Sequence, residues 1–369
     1  MKVIFVAYNY LADYSSPEAW IERIRPFAGV MESLSRNCKV IYVGQINYTG
    51  TFLQNGVEYH FLHSHKRKPR FPVYFHRAIK KLQPDVVIVL GLHYPLQILQ
   101  LRSALGKKVL IVGRHHADNP PTGIRRMLQS WADRCIDGYL FSTWAHAMKW
   151  HNAGIIKDEK KIYELFEASS DFTRLDKDQS KLKTGMNGEY NFLWVGRLDA
   201  NKDPLTAIKG FEKYLSVNSA GRLHMIFQED KLLPDVKARI VKSPVLQHAV
   251  SLHGFIPYNE LPSWYSAADF FISGSHYEGG SFALLEAMAC GCIPIVTAIP
   301  ASLKSIDDGK YGFSFKPGNS DDLAEKLSAA GNVSKKEFSA TVERYFKEKL
   351  SSKAIADRLN EILIELQSE

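Results

Sequence analysis

Short apolar runs, rich in β-branched residues, alternate along this chain with longer stretches whose apolar positions recur at helical spacing. Val86-Val87-Ile88-Val89-Leu90 is a near-continuous run of the kind that a strand buried on both faces requires. The pattern predicts strands over 3–9, 38–44, 58–63, 86–91, 109–115, 138–143 and 162–168 in the first half. It predicts further strands over 191–197, 224–229, 249–254, 270–275 and 292–297 in the second. Strands alternating with amphipathic segments imply parallel sheets covered by helices, an α/β class. The stretch 176–190 is polar, with few apolar residues, and reads as a linker. Near the end, Ile355, Leu359, Ile362, Leu363 and Leu366 form one helical stripe, with Ser352 placed as N-cap. The organisation expected is a unit over 1–180, a second over 188–345 and a terminal helix within 346–369. That helix must bury its stripe on one of the two units; the N-terminal one is the candidate, although the pattern does not decide.

Composition narrows the class. A chain of 369 residues, 45% hydrophobic and 23% charged, suits two globular domains of roughly 150–200 residues each. Cys38, Cys135, Cys290 and Cys292 form no C-x-x-C pair, so free thiols in a reducing compartment are expected. Val3–Ala7 is too short for the apolar part of a signal peptide, and no segment approaches the roughly 18 apolar residues of a spanning helix. The expectation is a cytoplasmic protein. The net charge of +8 concentrates in Lys66-Arg67-Lys68-Pro69-Arg70 and, less densely, in Arg125-Arg126. The plain reading is a solvated basic loop. The sharper one is an anionic partner, either a phosphorylated substrate or the inner membrane face touched peripherally. No aromatic-basic platform accompanies the charge, which argues against nucleic acid.

Ligands of open parallel sheets bind beyond the carboxyl ends of the strands. Three predicted strand ends in the second half carry unusual residues. One runs through Gly196-Arg197 to Lys202, another ends in His253-Gly254, and the third leads into Gly274-Ser275-His276-Tyr277-Glu278-Gly279-Gly280-Ser281. Arg197 and Lys202 are cations that persist at neutral pH and suit a diphosphate, Arg through bidentate geometry and Lys as a point charge. Glu278 precedes a helix predicted over 281–290, and Glu286 lies roughly two turns into it. Gly279-Gly280 allows the helix N-terminus to approach a ligand, and its free N–H groups suit phosphate. Carboxylates at these two places can accept from the paired hydroxyls of ribose or of a pyranose.

Together these segments, Phe192-Leu-Trp-Val-Gly-Arg-Leu-Asp-Ala-Asn-Lys202-Asp, Leu252-His-Gly-Phe, and Glu278-Gly-Gly-Ser-Phe-Ala-Leu-Leu-Glu286-Ala-Met-Ala-Cys-Gly-Cys-Ile-Pro294, closely resemble glycosyltransferase family 4. Asp308-Gly-Lys-Tyr-Gly312-Phe-Ser-Phe-Lys-Pro-Gly318 is similar to the family's following segment. The resemblance is dense over 190–330 and looser before. It implies the GT-B fold, two Rossmann-like parallel-sheet domains facing across a cleft, with an acceptor-side N-terminal domain and a nucleotide-sugar-binding C-terminal one. It implies retaining transfer from a UDP- or GDP-sugar to a glycan, lipid-linked or small-molecule acceptor, as in cell-surface polysaccharide synthesis, with no cofactor and no obligatory metal. By the same resemblance Arg197 and Lys202 hold the diphosphate and stabilise the leaving group. Glu286 takes the ribose hydroxyls, and Glu278 faces the transferred sugar. Backbone N–H groups near Gly280, Ser281 and Phe282 meet its hydroxyls or the phosphates, and Gly254 and Phe255 flank the base. His115, with His116 as the alternative, stands near the sugar's reacting carbon, and Ser142 matches a serine at the next strand end.

Three places depart from the family pattern. Tyr8–Pro17 replaces a Gly-Gly loop after the first strand, Glu167–Asp171 replaces an Asn-Gly turn, and Ile299–Lys304 replaces a glycine pair followed by an acid. Donor and acceptor identity therefore do not carry over. An epimerase acting on the nucleotide-sugar alone, or a non-catalytic nucleotide-sugar binder, remains as an alternative.

Overall fold

The computed structural model describes residues 1–63, 71–115, 119–218 and 220–368. The basic run Lys66–Arg70 and the alternative histidine His116 lie outside these residues. The chain divides into two compact units, Met1–Ser169 with Ser352–Glu369, and Ser170–Ser351.

The first unit holds β1 (Lys2–Leu11), β2 (Lys39–Ile46), β3 (Gly50–Gln54), β4 (Val57–Phe61), β5 (Val86–Leu90), β6 (Leu110–His115), β7 (Gly138–Phe141) and β8 (Ile162–Glu164). They form one sheet in the order β3-β4-β2-β1-β5-β6-β7-β8, parallel except where β3 pairs antiparallel with β4. Side chains alternate between its faces as the pleat requires. Val3, Phe5, Val40 and Tyr42 join one apolar core, and Ile4, Val6, Ile41 and Val43 join the other. β3 escaped the sequence pattern because it is a half-exposed edge strand without an apolar run.

The terminal helix Ser352–Ser368 puts Ile355, Leu359, Ile362, Leu363 and Leu366 into the first of these cores. Two glycines admit it. A Cβ on Gly29 would stand 2.9 Å from the Ser352 hydroxyl, and one on Gly138 would stand 2.8 Å from Leu366.

The second unit contains β9 (Tyr190–Gly196), β10 (Gly221–Phe227), β11 (Val250–Gly254), β12 (Phe270–Ser273), β13 (Ile293–Thr297) and β14 (Phe313–Phe315). The order is β11-β10-β9-β12-β13-β14, all parallel. Chain direction across the sheet reverses between β9 and β12, the switch point at which open α/β sheets hold ligands.

The linker reading of 176–190 needs correcting. The chain passes between units at 169–170 and 351–352, and the polar stretch holds a helix of the second unit, Lys177–Thr184. Asp176 caps it by accepting from the Gln179 N–H, and Gly185 ends it at φ 74°. Only Ser180 of this helix is buried, so it has no apolar stripe to find. Lys177 anchors it through a 2.6 Å ion pair with buried Asp269. Among the described residues, no helix is long and apolar enough to cross a membrane.

Candidate functional site

At the second unit's switch point, two loops are knit into one surface. After β9, the Asp199 carboxylate accepts from the Lys202 backbone N–H at 2.9 Å and lies 3.2 Å from Arg197 Nε. Asn201 bridges to the loop after β12: its Oδ1 accepts from Tyr277 N and its Nδ2 donates to Tyr277 O, each at 3.1 Å. Its backbone carbonyl accepts from His276 N at 2.8 Å. Asp203 sits in the left-handed region at φ 44° and caps the next helix through Thr206 N, 3.1 Å away. Its second carboxylate oxygen faces His276 Nε2 at 3.0 Å. Gly274 keeps this approach open, since a Cβ there would press on Asp203 O at 3.0 Å.

The result of this clasp is an ion pair. Lys202 Nζ donates to the Glu278 carboxylate, with only 18% and 13% of the two side chains exposed. Arg197 stays half exposed beside them, its Nη1 3.9 Å from Glu229. Such a surface sets two cations, Arg197 and Lys202, among the carboxylates of Asp199, Glu229 and Glu278.

The helix expected over 281–290 is Phe282–Ala289, with Ser281 as an N-cap whose hydroxyl makes no bond to the first turn. The first-turn amides therefore remain available to an anion. Gly280 has open space where a Cβ would stand. Glu286 is buried, and it accepts a 2.9 Å hydrogen bond from the Tyr265 hydroxyl. Burial pushes its carboxyl up to about 7, with Asp171 adding to the rise; hydrogen bonds from Tyr265 and Tyr258 act in the opposite direction. Phe172 packs on Tyr258 and Tyr265, with centroid distances of 4.8 and 6.1 Å. At the end of β11, Gly254 adopts φ 69° and Phe255 is exposed. His253 there packs on Trp264 and bonds His224 at 3.1 Å; burial holds both imidazoles below their ordinary range, His224 at about 4.

In the first unit, His115 ends β6 and is 1% exposed. Leu92 N donates to its Nδ1 at 3.3 Å, and its ring stands edge-on to Trp150 at 4.4 Å and to His93 at 5.1 Å. His93 itself is exposed, at the carboxyl end of β5. Ser142 is buried after β7, with its hydroxyl 3.4 Å from His146 Nδ1.

The structure therefore brings Arg197, Lys202, Glu278, Gly280, Ser281 and Phe282 to the loops at one switch point. Glu286 lies behind them on the helix, and Gly254 and Phe255 at the end of another strand of the sheet. His115 and Ser142 belong to the other unit. Sequence reasoning missed Asn201, Asp203 and His276, which form the clasp, and Tyr258, Tyr265 and Asp171, which surround Glu286. It also missed His93. The one signal was the run of hydrogen-bonding residues Asp199, Asn201 and Asp203 around Lys202, which pointed to an organised loop without naming its partner.

Residues 176–337 match the family model described as glycosyl transferases group 1. A mannosylfructose-phosphate synthase of Agrobacterium fabrum is 32% identical over 173 residues, which is 45% of this chain but only 36% of that relative. A glycosyltransferase structure from Rickettsia africae superposes with a TM-score of 0.72 at 16% identity, covering 99% of this chain and 98% of its own. Anabaena HepE, solved in complex with UDP and glucose, gives 0.69 at 12% identity, covering 99% and 100%. At such identities the structural likeness speaks for the fold. The chain thus has the two-sheet GT-B fold, and its second unit carries the stretch that matches glycosyl transferases group 1.

Proposed function

We propose that this chain transfers a sugar from a UDP- or GDP-linked donor to an acceptor hydroxyl, with retention of anomeric configuration. The carrying observation is the switch-point surface, where Lys202 is locked on Glu278 and Arg197 stands beside it. Breaking a glycosyl–phosphate bond leaves negative charge on the departing diphosphate. Cations held in place beforehand stabilise that charge most when it is greatest, in the transition state. Arg197 and Lys202 take this role. Glu278 orients Lys202 and accepts from the sugar hydroxyls, while amides of Gly280, Ser281 and Phe282 meet phosphate or sugar. Glu286 takes the ribose hydroxyls, and Gly254 and Phe255 flank the base. In the first unit, His115 and Ser142 serve the sugar; the burial of His115 makes it a positioning group. The reading requires neither metal nor cofactor. The names of the relatives support it: one makes a mannosylfructose phosphate, and another was solved with UDP and glucose.

The acceptor is a glycan, a lipid-linked glycan or a small molecule at an anionic membrane face, where cell-surface glycans are assembled. Helix Gly123–Ala132 supports this. Ile124, Met127 and Trp131, at positions i, i+3 and i+7, are 74%, 47% and 49% exposed, while Gln129 is buried. A helix with its apolar stripe outward and Arg125 and Arg126 beside it suits peripheral contact with anionic lipid.

A panel of nucleotide-sugars tests the proposal by thermal shift and by product analysis. One nucleotide-sugar should raise the melting temperature with concentration, and its sugar should appear on acceptor with unchanged anomeric configuration. Conversion of the donor without acceptor would make the protein an epimerase. Stabilisation without turnover would make it a binder only, and inversion would overturn the stereochemical part.

A further inference from the structure

A second cationic concavity lies by the amino ends of β9 and β12, the opposite end of these strands from the Lys202 loops. It measures about 460 Å³ and is lined by Arg174, Lys177, Lys181, Lys335 and Lys336, against the single carboxylate of Asp269. Asp269 immediately precedes β12, whose opposite end leads into the Glu278 loop. A ligand here would therefore occupy a place separate from the Lys202 surface.

The carboxylate at its floor is already committed. Asp269, 2% exposed at the side chain, takes Lys177 at 2.6 Å, Lys335 at 3.8 Å and the Asn191 N–H at 2.9 Å. Lys335 also donates to Glu189 O at 2.6 Å and lies over the Tyr190 ring. Arg174 reaches Glu343 at 3.5 Å. The ammonium groups of Lys181 and Lys336 make no ion pair or hydrogen bond among the described residues. Lys181 is one turn after Lys177 on the same helix face, so both point to the same side.

Lys335 and Lys336 open the helix Lys335–Tyr345, where the helix dipole disfavours cations; Glu337 is the only acid in that turn. Ser334, the N-cap, makes no side-chain bond to the helix amides. Like charges thus converge on one concavity, against the local preference of the helix, with one acid that is spoken for. Placement of this kind costs stability unless an anion relieves it, and such local conflicts are expected at functional sites.

We propose that this concavity binds a multiply charged phosphate ligand, with Lys181 and Lys336 as its uncommitted contacts and Arg174, Lys177 and Lys335 as its walls. A phosphate cluster suits it because several cations meet several oxygens in one small volume. The same chemistry is available from a free oligophosphate or from a phosphomonoester lipid headgroup.

Calorimetric titration with tripolyphosphate tests this, run with saturating UDP and again with saturating GDP to occupy the Lys202 surface, a blocking step that rests on the proposed function. Saturable binding is expected, weakened at least about tenfold in Lys181→Ala/Lys336→Ala and weakened by added salt. Neither lysine has a side-chain partner to lose and each adds to the repulsion, so without ligand the double variant should melt no lower than wild type and somewhat higher. Lys336→Glu offers a second variant with a stronger loss of binding. Absent saturable heat, or affinity unchanged in both variants, would overturn the site. Binding that appears only without nucleotide would also overturn it, by placing the phosphate at Arg197 and Lys202. Competition by phosphatidic-acid vesicles would support a site served by lipid headgroups, and no competition would support a soluble phosphate.

Discussion

The two sheets reverse direction at equivalent places, between β1 and β5 in the first unit and between β9 and β12 in the second, but they fill those places differently. In the first unit the strand ends carry aromatic side chains. Tyr8 is 2% exposed, its hydroxyl lies 2.9 Å from His76 Nε2, and its ring packs on Phe75 and Tyr94 at 5.4 and 5.3 Å. The Tyr94 hydroxyl donates to Asn9. In the second unit the equivalent place carries Arg197, Lys202, Glu278 and the Asn201 clasp. Topology supplies a crevice at each reversal, and side chains decide whether it receives a ligand or is closed by the chain's own rings. The start of the Tyr8–Pro17 segment fits these terms, since the Tyr8 ring fills the end of β1 against Phe75 and Tyr94.

The largest effect that would sharpen this contrast lies in the aromatic unit. Trp150, fully buried against His115 and Phe141, should cost about 3–5 kcal/mol of stability when replaced by alanine. Denaturant unfolding measures the loss, and nucleotide affinity, read where the variant stays folded, should remain within about twofold. A large loss of affinity would mean that the aromatic unit also shapes the nucleotide part of the donor site. Next, Lys202→Ala should lower turnover at least about a hundredfold. Asn201→Ala keeps the ammonium but removes two hydrogen bonds to Tyr277, and should cost about tenfold. Equal rates in both variants and wild type would break the charge-based reading of the second unit.

The smallest effect is in pH. The Glu286 carboxyl titrates at about 7, above its ordinary 4.5, so the folded protein holds this proton where the unfolded chain has lost it. Its contribution to stability is complete below about 4.5 and is lost as pH rises through about 7. Glu286→Gln should therefore gain stability relative to wild type at pH 8 and little at pH 4. Wild-type nucleotide affinity should strengthen severalfold from pH 6 to pH 8 as the carboxylate forms, and the Gln variant should show a flat profile. A wild-type profile that is itself flat would remove Glu286 from the ribose. His76 and His224 act in the opposite direction. Burial holds each at about 4, below its ordinary 6.5, so their contributions fall as pH drops from 6.5 towards 4.

Much of the fold was legible because a strand buried on both faces must be apolar almost throughout, as Val86–Leu90 is. The edge strand Gly50–Gln54 and the three-residue strand Phe313–Phe315 were not, since neither buries enough to need such a run. Arg197, Lys202, Glu278 and Glu286 stood out because chemistry restricts residue type and spacing along the chain. Their surroundings did not, because Tyr265 reaches Glu286 from 21 residues away and Asn201 reaches Tyr277 from 76.

The sequence by itself determined two α/β units, the charged residues at the second unit's switch point and a terminal helix with one apolar stripe. Only the tertiary structure decided where that stripe goes, through close approach at Gly29 and Gly138, and that the polar stretch before β9 is a capped helix of the second unit. It alone committed Lys202 to Glu278 and buried Glu286. Periodicity records that a face must be covered and motif spacing records which chemistry is present, but the covering surface and the local dielectric come from residues distant in the chain.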